Sequence, residues 1–212
     1  MTESPTLPSN GTTTNDTAAP SKRVLIVEDD TLVGIGIRSH LEKLGHRVVG
    51  QASDARQAIA MYHDERPDLV LLDIRLDHDD GISLASHLMR ERRCPMIIVS
   101  AFSDASLIDR AAEAGVYGYL VKPVTREALA AAIEVAVSRF RETELLRAQK
   151  LELQDAFETR KLVDRAKGIL MKQLRIDEPA AHRQLQLESQ RQRLSMAELA
   201  RKVIESEKQV GQ

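Results

Sequence analysis

The sequence predicts an α/β fold with a parallel, doubly wound sheet for the first two thirds of its 212 residues. Five short apolar runs are continuous rather than alternating, as expected for strands that are covered on both faces. Helical apolar patterns lie between them, and this regular alternation of strand and helix indicates a parallel sheet. Five strands and five helices fit the flavodoxin-like strand order 2-1-3-4-5. The predicted strands are residues 24–27, 47–49, 69–72, 96–99 and 117–121.

The predicted helices between these strands each carry one apolar stripe. The first stripe is followed by Gly45 and the fourth by Gly115, and glycine suits the left-handed position after a helix. The stripes consist of Leu32, Ile35, Leu41 and Leu44; Ala55, Ala58, Ile59 and Tyr62; Ile82, Leu84, Ala85 and Leu88; and Ile108, Ala111 and Ala112.

The fifth helix is predicted to continue well past the sheet, because no Gly or Pro occurs between its start near Thr125 and Lys167. Four of its residues are spaced four, three and four apart, which is the heptad seam of a coiled coil. This seam predicts a homodimer formed through the linker helix, and the alternative is one long helix that packs against its own chain. The seam residues are Leu146, Lys150, Leu153 and Phe157.

Three helices are predicted for the end of the chain. The first has an apolar stripe that begins at Leu162. Asp177 can cap the second helix, and Pro179 is tolerated in its first turn. The third begins with a capping box formed by Ser195 and Glu198.

The composition excludes several classes of protein. Aromatic residues make up 3% of the chain and Trp is absent, which argues against aromatic platforms that stack on bases. The single cysteine, Cys94, excludes a disulfide framework and a multi-cysteine zinc site. No apolar run approaches the ~18 residues of a membrane span, and residues 1–21 lack the apolar region of a signal peptide. We therefore expect a cytoplasmic protein with a disordered N-terminal tail and no membrane contact.

The net charge of −2 conceals an asymmetry along the chain. Residues 1–125 contain 13 basic and 18 acidic side chains, whereas residues 157–212 contain 12 basic and 8 acidic ones. An acidic body with a basic end indicates an anionic ligand for that end, although a solvated helical surface would give the same counts.

Polar residues follow the predicted strands at the edge where sheets of this class bind ligands. Carboxylates that converge there repel one another, and a hard divalent cation such as Mg²⁺ relieves the repulsion. A lysine and a hydroxyl at the same edge can pair with a phosphoryl group, and an aspartate can form an acyl phosphate. In strand order the residues are Glu28, Asp29 and Asp30, then Asp73, then Ser100, then Lys122.

These motifs resemble the receiver domain of two-component response regulators from residue 22 to about 140. The resemblance implies that Asp73 is the phosphoacceptor, and that Lys122 pairs with the phosphoryl group. It also implies that Ser100 and Tyr119 are switch residues. The implied Mg²⁺ ligands are Glu28, Asp29, Asp73 and the backbone carbonyl of Ile74.

One departure from the receiver pattern lies in the loop after the acceptor. Such domains often have Pro four residues after the acceptor, and this chain has Asp77 there. The loop of residues 77–80 is acidic, which strengthens attraction for a metal ion or hinders an acidic partner. His78 is a further candidate metal ligand in the same loop.

The segment from Arg160 to Met171 resembles the first helix of the ANTAR domain, a three-helix module that binds paired RNA hairpins and prevents transcription termination. The resemblance continues through residues 178–181 and 196–200. Gly168 costs ~1 kcal/mol relative to Ala inside a helix, which indicates the close approach of another surface. The candidate RNA-contacting residues are Arg160, Lys161, Arg165, Lys167, Arg191 and Arg193.

The predicted middle helix of this module departs from the family pattern. His182 replaces the usual aromatic residue, and Gln184, Glu188, Ser189 and Gln190 stand where the family favours apolar residues or Ala and Met. Because the apolar stripe of this helix is weak, a module that binds a protein rather than RNA is the alternative.

The predicted organisation is a disordered tail (1–21), a receiver domain (22–140), a coiled-coil linker helix (141–157) and an ANTAR-like three-helix domain (158–206). We expect a regulator rather than an enzyme, phosphorylated on Asp73 by a sensor histidine kinase and binding RNA hairpins, with no DNA partner. A Mg²⁺-dependent phosphohydrolase is the rival class. It needs a second carboxylate two residues after the nucleophile, and Arg75 occupies that position.

Overall fold

The computed structural model describes residues 20–76, 79–101 and 104–210. Asp77, His78 and residues 1–19 of the predicted tail lie outside the described residues. The chain divides into two compact units, the first ending at Phe140 and the second beginning at Arg141.

The first unit is a five-stranded parallel sheet with helices on both faces. Its strand order is β2-β1-β3-β6-β7, which confirms the predicted order 2-1-3-4-5 of the five long strands. In chain order the elements are β1 (Arg23–Val27), α1 (Thr31–Lys43), β2 (Arg47–Ala52), α2 (Ala55–Glu65), β3 (Leu69–Asp73), β4 (Arg75–Leu76), β5 (Asp79–Asp80), α3 (Gly81–Glu91), β6 (Met96–Ser100), α4 (Ala105–Glu113), β7 (Gly118–Val121) and α5 (Arg126–Leu174).

The strands are buried on both faces, as their continuous apolar runs predict. In β1, Leu25 and Val27 belong to one hydrophobic cluster, and Val24 and Ile26 belong to a second cluster on the other side of the sheet. The central strand β3 is buried at all of its residues. This arrangement follows from the two-residue period of a strand, which sends successive side chains to opposite faces.

Aspartates begin four of the helices in the first unit. The side chain of each accepts a hydrogen bond from a backbone N–H of the first turn, which satisfies a donor that the helix itself leaves unpaired. At the other end, Gly45 and Gly115 adopt φ of 82° and 81°, as predicted for residues that follow a helix. The capping residues are Asp30, Asp54, Asp80 and Asp104.

A short antiparallel ladder that the sequence pattern does not predict follows β3. Its strands β4 and β5 have two residues each and pair Arg75 with Asp80 and Leu76 with Asp79. The ladder leads the chain from the end of β3 directly into the first turn of α3.

The second unit contains the remainder of α5, then α6 (Glu178–Gln192) and α7 (Met196–Val210). Asp177 caps α6 by accepting from the N–H of Ala180 at 2.9 Å, as predicted. The predicted capping box is also present, because Ser195 N–H donates to Glu198 and Glu198 N–H donates to Ser195 Oγ at 3.2 Å. Among the described residues, no helix has the length and apolar content needed to cross a bilayer.

The middle helix α6 packs through a narrow apolar stripe, as its sequence indicates. Only Ala181 and Leu185 of this helix are buried. Leu185 packs in a small core with Ala166 of α5 and with Leu199 and Ala200 of α7. The polar substitutions in α6 therefore lie outside this core, and the helix forms despite them.

Candidate functional site

Three polar side chains are buried in the part of the chain that the structure describes, and all three lie at carboxyl ends of neighbouring strands. Glu28 follows β1, Asp73 ends β3 and Ser100 ends β6, with exposed fractions of 2%, 7% and 1%. Lys122 follows β7 and is also largely covered. The sequence prediction that these residues share one sheet edge is consistent with their positions.

Lys122 joins two of the carboxylates. Its Nζ lies 2.5 Å from Asp73 Oδ2 and donates to Glu28 Oε1 at 2.8 Å. Burial disfavours the ammonium ion, but the hydrogen bonds to Asp73 and Glu28 outweigh burial and hold the pKa of Lys122 above its usual value. Lys122 is therefore positively charged beside the Asp73 carboxylate.

Glu28, Asp29 and Asp73 form a cluster that fits a divalent cation. Each offers an oxygen within 4.8 Å of the others. Glu28 Oε2 is buried and forms an ion pair with Lys122 Nζ at 2.7 Å. Burial raises the pKa of Glu28, and the neighbouring charge of Asp73 adds to the effect. Three carboxylates that converge at one edge of the sheet are the donor set that a hard cation prefers.

The remaining strand-end oxygens have local partners. Asp30 does not join the cluster, because its Oδ1 accepts from the N–H groups of Leu32 and Val33 at 2.8 and 3.2 Å. Asp73 Oδ1 accepts from Arg75 N–H at 3.0 Å. The carbonyl of Ile74, which the resemblance makes a further metal ligand, accepts from Gly81 N–H at 2.8 Å.

Gly81 is a residue of this site that the sequence analysis missed. A Cβ on Gly81 would lie 1.9 Å from the backbone carbonyl oxygen of Asp73, so only glycine permits the close approach of α3 to the end of β3. A glycine at the first position of a helix, eight residues after the candidate acceptor, was the available signal.

The predicted switch residues lie on the two strands at one side of the sheet. Ser100 ends β6, and its backbone carbonyl accepts from Lys122 N–H at 2.8 Å. Tyr119 lies in β7 opposite Ile98 and is half-buried against the cluster that contains Leu25 and Val27. These positions put Ser100 next to Lys122 in the sheet and Tyr119 three residues before Lys122.

An ion pair links the start of α3 to α4. Arg110 lies 2.7 Å from Asp80 Oδ2, and Ser83 Oγ donates to the same oxygen at 2.7 Å. Burial opposes ionisation of Asp80, but hydrogen bonds from Ser83 and Ile82 and the charge of Arg110 hold its pKa below the usual value. Asp80 therefore stays charged and connects the two helices.

Most of the basic residues predicted to contact RNA have acidic neighbours in the second unit. Lys167 has an exposed fraction of 14% and lies 2.7 Å from Asp164 and 2.6 Å from Glu178. Hydrogen bonds to Asp164 and Glu178 raise the pKa of Lys167. The other ion pairs of this set are Arg160–Asp164 at 3.9 Å, Lys161–Glu158 at 3.5 Å and Arg191–Glu188 at 2.7 Å.

Two of the predicted RNA-contacting residues differ from the rest. Arg165 on α5 and Arg193 after α6 are exposed, and neither forms an ion pair with a described residue. Arg193 has φ of 54° and ends α6. The structure thus separates the six candidates into paired and unpaired groups, which the sequence alone does not do.

Two segments of the chain match known domain families. Residues 24–134 match the response regulator receiver domain, and residues 151–204 match the ANTAR domain. Signal receiver domains also match in structure. That of a modulated diguanylate cyclase from Desulfovibrio desulfuricans G20 is 34% identical with a TM-score of 0.54, and the match covers 58% of this chain and 99% of that one.

A relative of similar length matches both domains. Transcriptional regulatory protein PdtaR of Mycobacterium tuberculosis is 39% identical over 196 residues, which cover 92% of this chain and 96% of PdtaR. Chemotaxis protein CheY of Thermotoga maritima is 31% identical over 103 residues, which cover 48% of this chain and 86% of CheY. The chain belongs to the response-regulator family, with a receiver domain followed by an ANTAR domain.

We expect Gly81→Ala to destabilise the receiver domain by about 1–3 kcal/mol or more, because the added methyl group overlaps the Asp73 carbonyl and the backbone must shift. Gly36→Ala is the matched control, since a Cβ on Gly36 of α1 meets no described atom within 4 Å. It should stabilise the protein by about 0.4–1 kcal/mol. Urea denaturation followed by circular dichroism measures both. Equal stability of the two variants would contradict the close approach of α3 to β3.

Proposed function

We propose that this response regulator accepts a phosphoryl group on Asp73 from a sensor histidine kinase, and that phosphorylation controls RNA binding by the ANTAR domain and so transcription antitermination. The observation that supports the proposal best is the contact of Lys122 with Asp73 and Glu28 at the sheet edge. Because both the kinase's phosphohistidine and nascent RNA are found in the cytoplasm, we propose that the protein acts there.

In the proposed reaction a carboxylate oxygen of Asp73 attacks the phosphorus atom of the kinase's phosphohistidine. The new P–O bond forms an acyl phosphate, and the P–N bond breaks, returning its electron pair to the imidazole. Asp73 is suited to this role because it is 7% exposed and its carboxylate is held by Lys122 and by Arg75 N–H.

The proposed cofactor is Mg²⁺, held by Glu28, Asp29 and Asp73. When bound, it neutralises charge on the transferring phosphoryl oxygens and offsets the repulsion between the carboxylates. The structural reason for placing the ion in this cluster is that three carboxylates converge there beside the single positive charge of Lys122.

The proposed switch acts through Ser100, Tyr119 and Lys122. A phosphoryl group on Asp73 offers new acceptor oxygens to the Lys122 ammonium group and to the Ser100 hydroxyl, since charged acceptors form the stronger hydrogen bonds. Movement of Ser100 at the end of β6 changes the space available to Tyr119 on the adjacent strand β7. The change thus reaches the side of the receiver formed by α4, β7 and α5.

Asp73→Asn should abolish uptake of phosphate from a small acyl-phosphate donor in Mg²⁺. Asp54→Asn is the matched control, because Asp54 follows β2 at the same edge of the sheet but caps α2, a role that Asn also fills. It should be phosphorylated like the wild type. Intact-protein mass spectrometry measures the added mass, and peptide mapping locates it. Labelling of Asp73→Asn at wild-type level, at no secondary site, would sink the assignment.

We further propose a homodimer formed through the heptad seam of α5. Leu146, Leu153 and Phe157 are 58%, 71% and 62% exposed. Together with Lys150 they line a single groove on the helix. Large apolar side chains in a regular seam stabilise a protein when a second helix covers them.

Replacing both Leu146 and Leu153 with Glu should convert the dimer to a monomer, because the charges oppose each other across the seam. The same replacement at Leu145 and Leu151 is the control. Those leucines are 61% and 53% exposed but lie outside the seam, so the dimer should persist. Light scattering of phosphorylated and unphosphorylated protein gives the mass. A wild-type mass of one chain in both states, at high concentration, would exclude the dimer.

The ANTAR match and the basic residues of the second unit support RNA as the ligand. The affinity for an RNA of two hairpins should fall as salt rises, because each neutralised phosphate releases counterions. With two or three phosphate contacts the slope of log affinity against log salt should be about −1.5 to −3. Gel shifts between low and moderate salt measure it, with an unpaired RNA of the same composition as control.

A protein partner is the second candidate ligand for the ANTAR domain, favoured by the polar surface of α6, in which only Ala181 and Leu185 are buried. No preference for hairpins over unpaired RNA at any salt concentration would favour this candidate over RNA.

A further inference from the structure

Four residues on the first ANTAR helix form a row of three basic residues and one glycine. We call Lys161, Arg165, Gly168 and Lys172 the basic row. They are spaced four, three and four apart on α5, so they lie on one face of the helix. Arg165 and Lys172 are exposed and form no ion pair with a described residue. They lie about 10 Å apart along the helix axis.

Gly168 lies between these two cations and has no internal reason to be glycine. A Cβ built on Gly168 meets no atom of the described residues within 4 Å, so the space is open. Its φ is helical, and glycine inside a helix costs about 1 kcal/mol relative to alanine. Neither the packing of the described residues nor the backbone conformation explains the presence of glycine at position 168. The missing side chain leaves a shallow notch in the helix surface between Arg165 and Lys172.

Lys167, the neighbouring lysine, has a different environment. Its ammonium group lies between Asp164 of the same helix and Glu178 of α6, and its exposed fraction is 14%. These contacts connect α5 to α6 and use two of the three N–H donors of the ammonium group. Lys167 therefore contributes to the packing of the module, and two carboxylates within the module balance its charge.

We propose that the notch at Gly168 seats the sugar–phosphate backbone of RNA, with Arg165 and Lys172 pairing with phosphates on either side. The inference rests on the RNA-binding function proposed above and assigns the contact within the module. RNA fits this surface because two exposed cations without a described ion-pair partner flank a place where a ribose can approach the helix closely. RNA is held mainly through its phosphates and its shape.

The test uses the full-length phosphorylated protein and a synthetic RNA with two hairpins. Arg165→Gln and Lys172→Gln should each weaken binding about tenfold, the loss expected for a charge-assisted hydrogen bond, and reduce the salt slope by about one. Lys202→Gln, which removes an exposed lysine of α7, is the charge control and should bind like the wild type. Lys167→Ala should lower the thermal midpoint and leave the salt slope unchanged.

Gly168→Ala gives the sharpest result, because it removes no charge. It should raise the thermal midpoint, as Gly36→Ala should in the receiver, since both add a methyl group in open space on a helix. Only Gly168→Ala should weaken RNA binding, and the salt slope should stay at the wild-type value. Loss of affinity without loss of stability or charge is the signature of a filled notch.

The outcomes separate the two proposals. If the wild type binds the two-hairpin RNA and Gly168→Ala binds it equally well, the notch assignment is wrong and the proposed function stands. If the wild type binds no hairpin RNA, both proposals fail. If Gly168→Ala or Lys172→Gln changes the mass in light scattering, the notch contacts a second copy of the chain, and the RNA contact at this face is overturned.

Discussion

The ammonium group of Lys122 is the interaction on which the carboxyl edge of the receiver sheet depends. It links Asp73 at the end of β3 to Glu28 after β1, and the lysine itself follows β7. Burying charges costs several kcal/mol per ion, and a buried pair often contributes little net stability. Losing Lys122 would leave two buried carboxylates without a counter-charge. The cluster is thus an expensive arrangement that a stable sheet does not require, which is the expected condition of a functional site.

The aspartates at this edge divide into two groups according to local hydrogen bonding. Asp30, Asp54, Asp80 and Asp104 accept N–H groups at the starts of helices, and these bonds fix their side chains. Asp29 and Asp73 begin no helix. Their carboxylates cap no helix and lie close to Glu28, which explains why these three residues form the carboxylate cluster found among the described residues of this edge.

The sequence predicted those parts of the fold and site that follow from strand periodicity. Continuous apolar runs predict strands buried on both faces, and the ends of parallel strands meet at one edge, so Glu28, Asp73, Ser100 and Lys122 could be grouped without coordinates. The β4–β5 ladder was missed because two-residue strands carry no periodic signal. The pairing of Lys167 with Glu178 was missed because it depends on how α6 packs against α5.

The same reasoning applies to the basic excess of the C-terminal module, because ion pairs within the module depend on packing. A count of charges does not distinguish Lys167, held between two carboxylates, from Arg165, which lies two residues away on a different face of the helix. Pairing within the module neutralises most of the candidate cations and leaves few that can meet a phosphate. Gly168 is informative because of its neighbours. An open position between the cations Arg165 and Lys172 can admit an anionic ligand, whereas an open position on a neutral helix face attracts none.

The proposed switch requires that the charge added by phosphorylation of Asp73 be compensated by nearby cations. A phosphoryl group carries roughly −1.5 to −2 charges and replaces a single carboxylate charge beside Glu28, whose pKa burial already raises. Lys122 is shared between the two carboxylates and cannot compensate the added charge while it stays bonded to Glu28. The ammonium group must therefore shift toward the phosphoryl oxygens, and a cation at the Glu28–Asp29 side must take over part of its role. Because Lys122 N–H also bonds to the Ser100 carbonyl, that shift is transmitted to the end of β6.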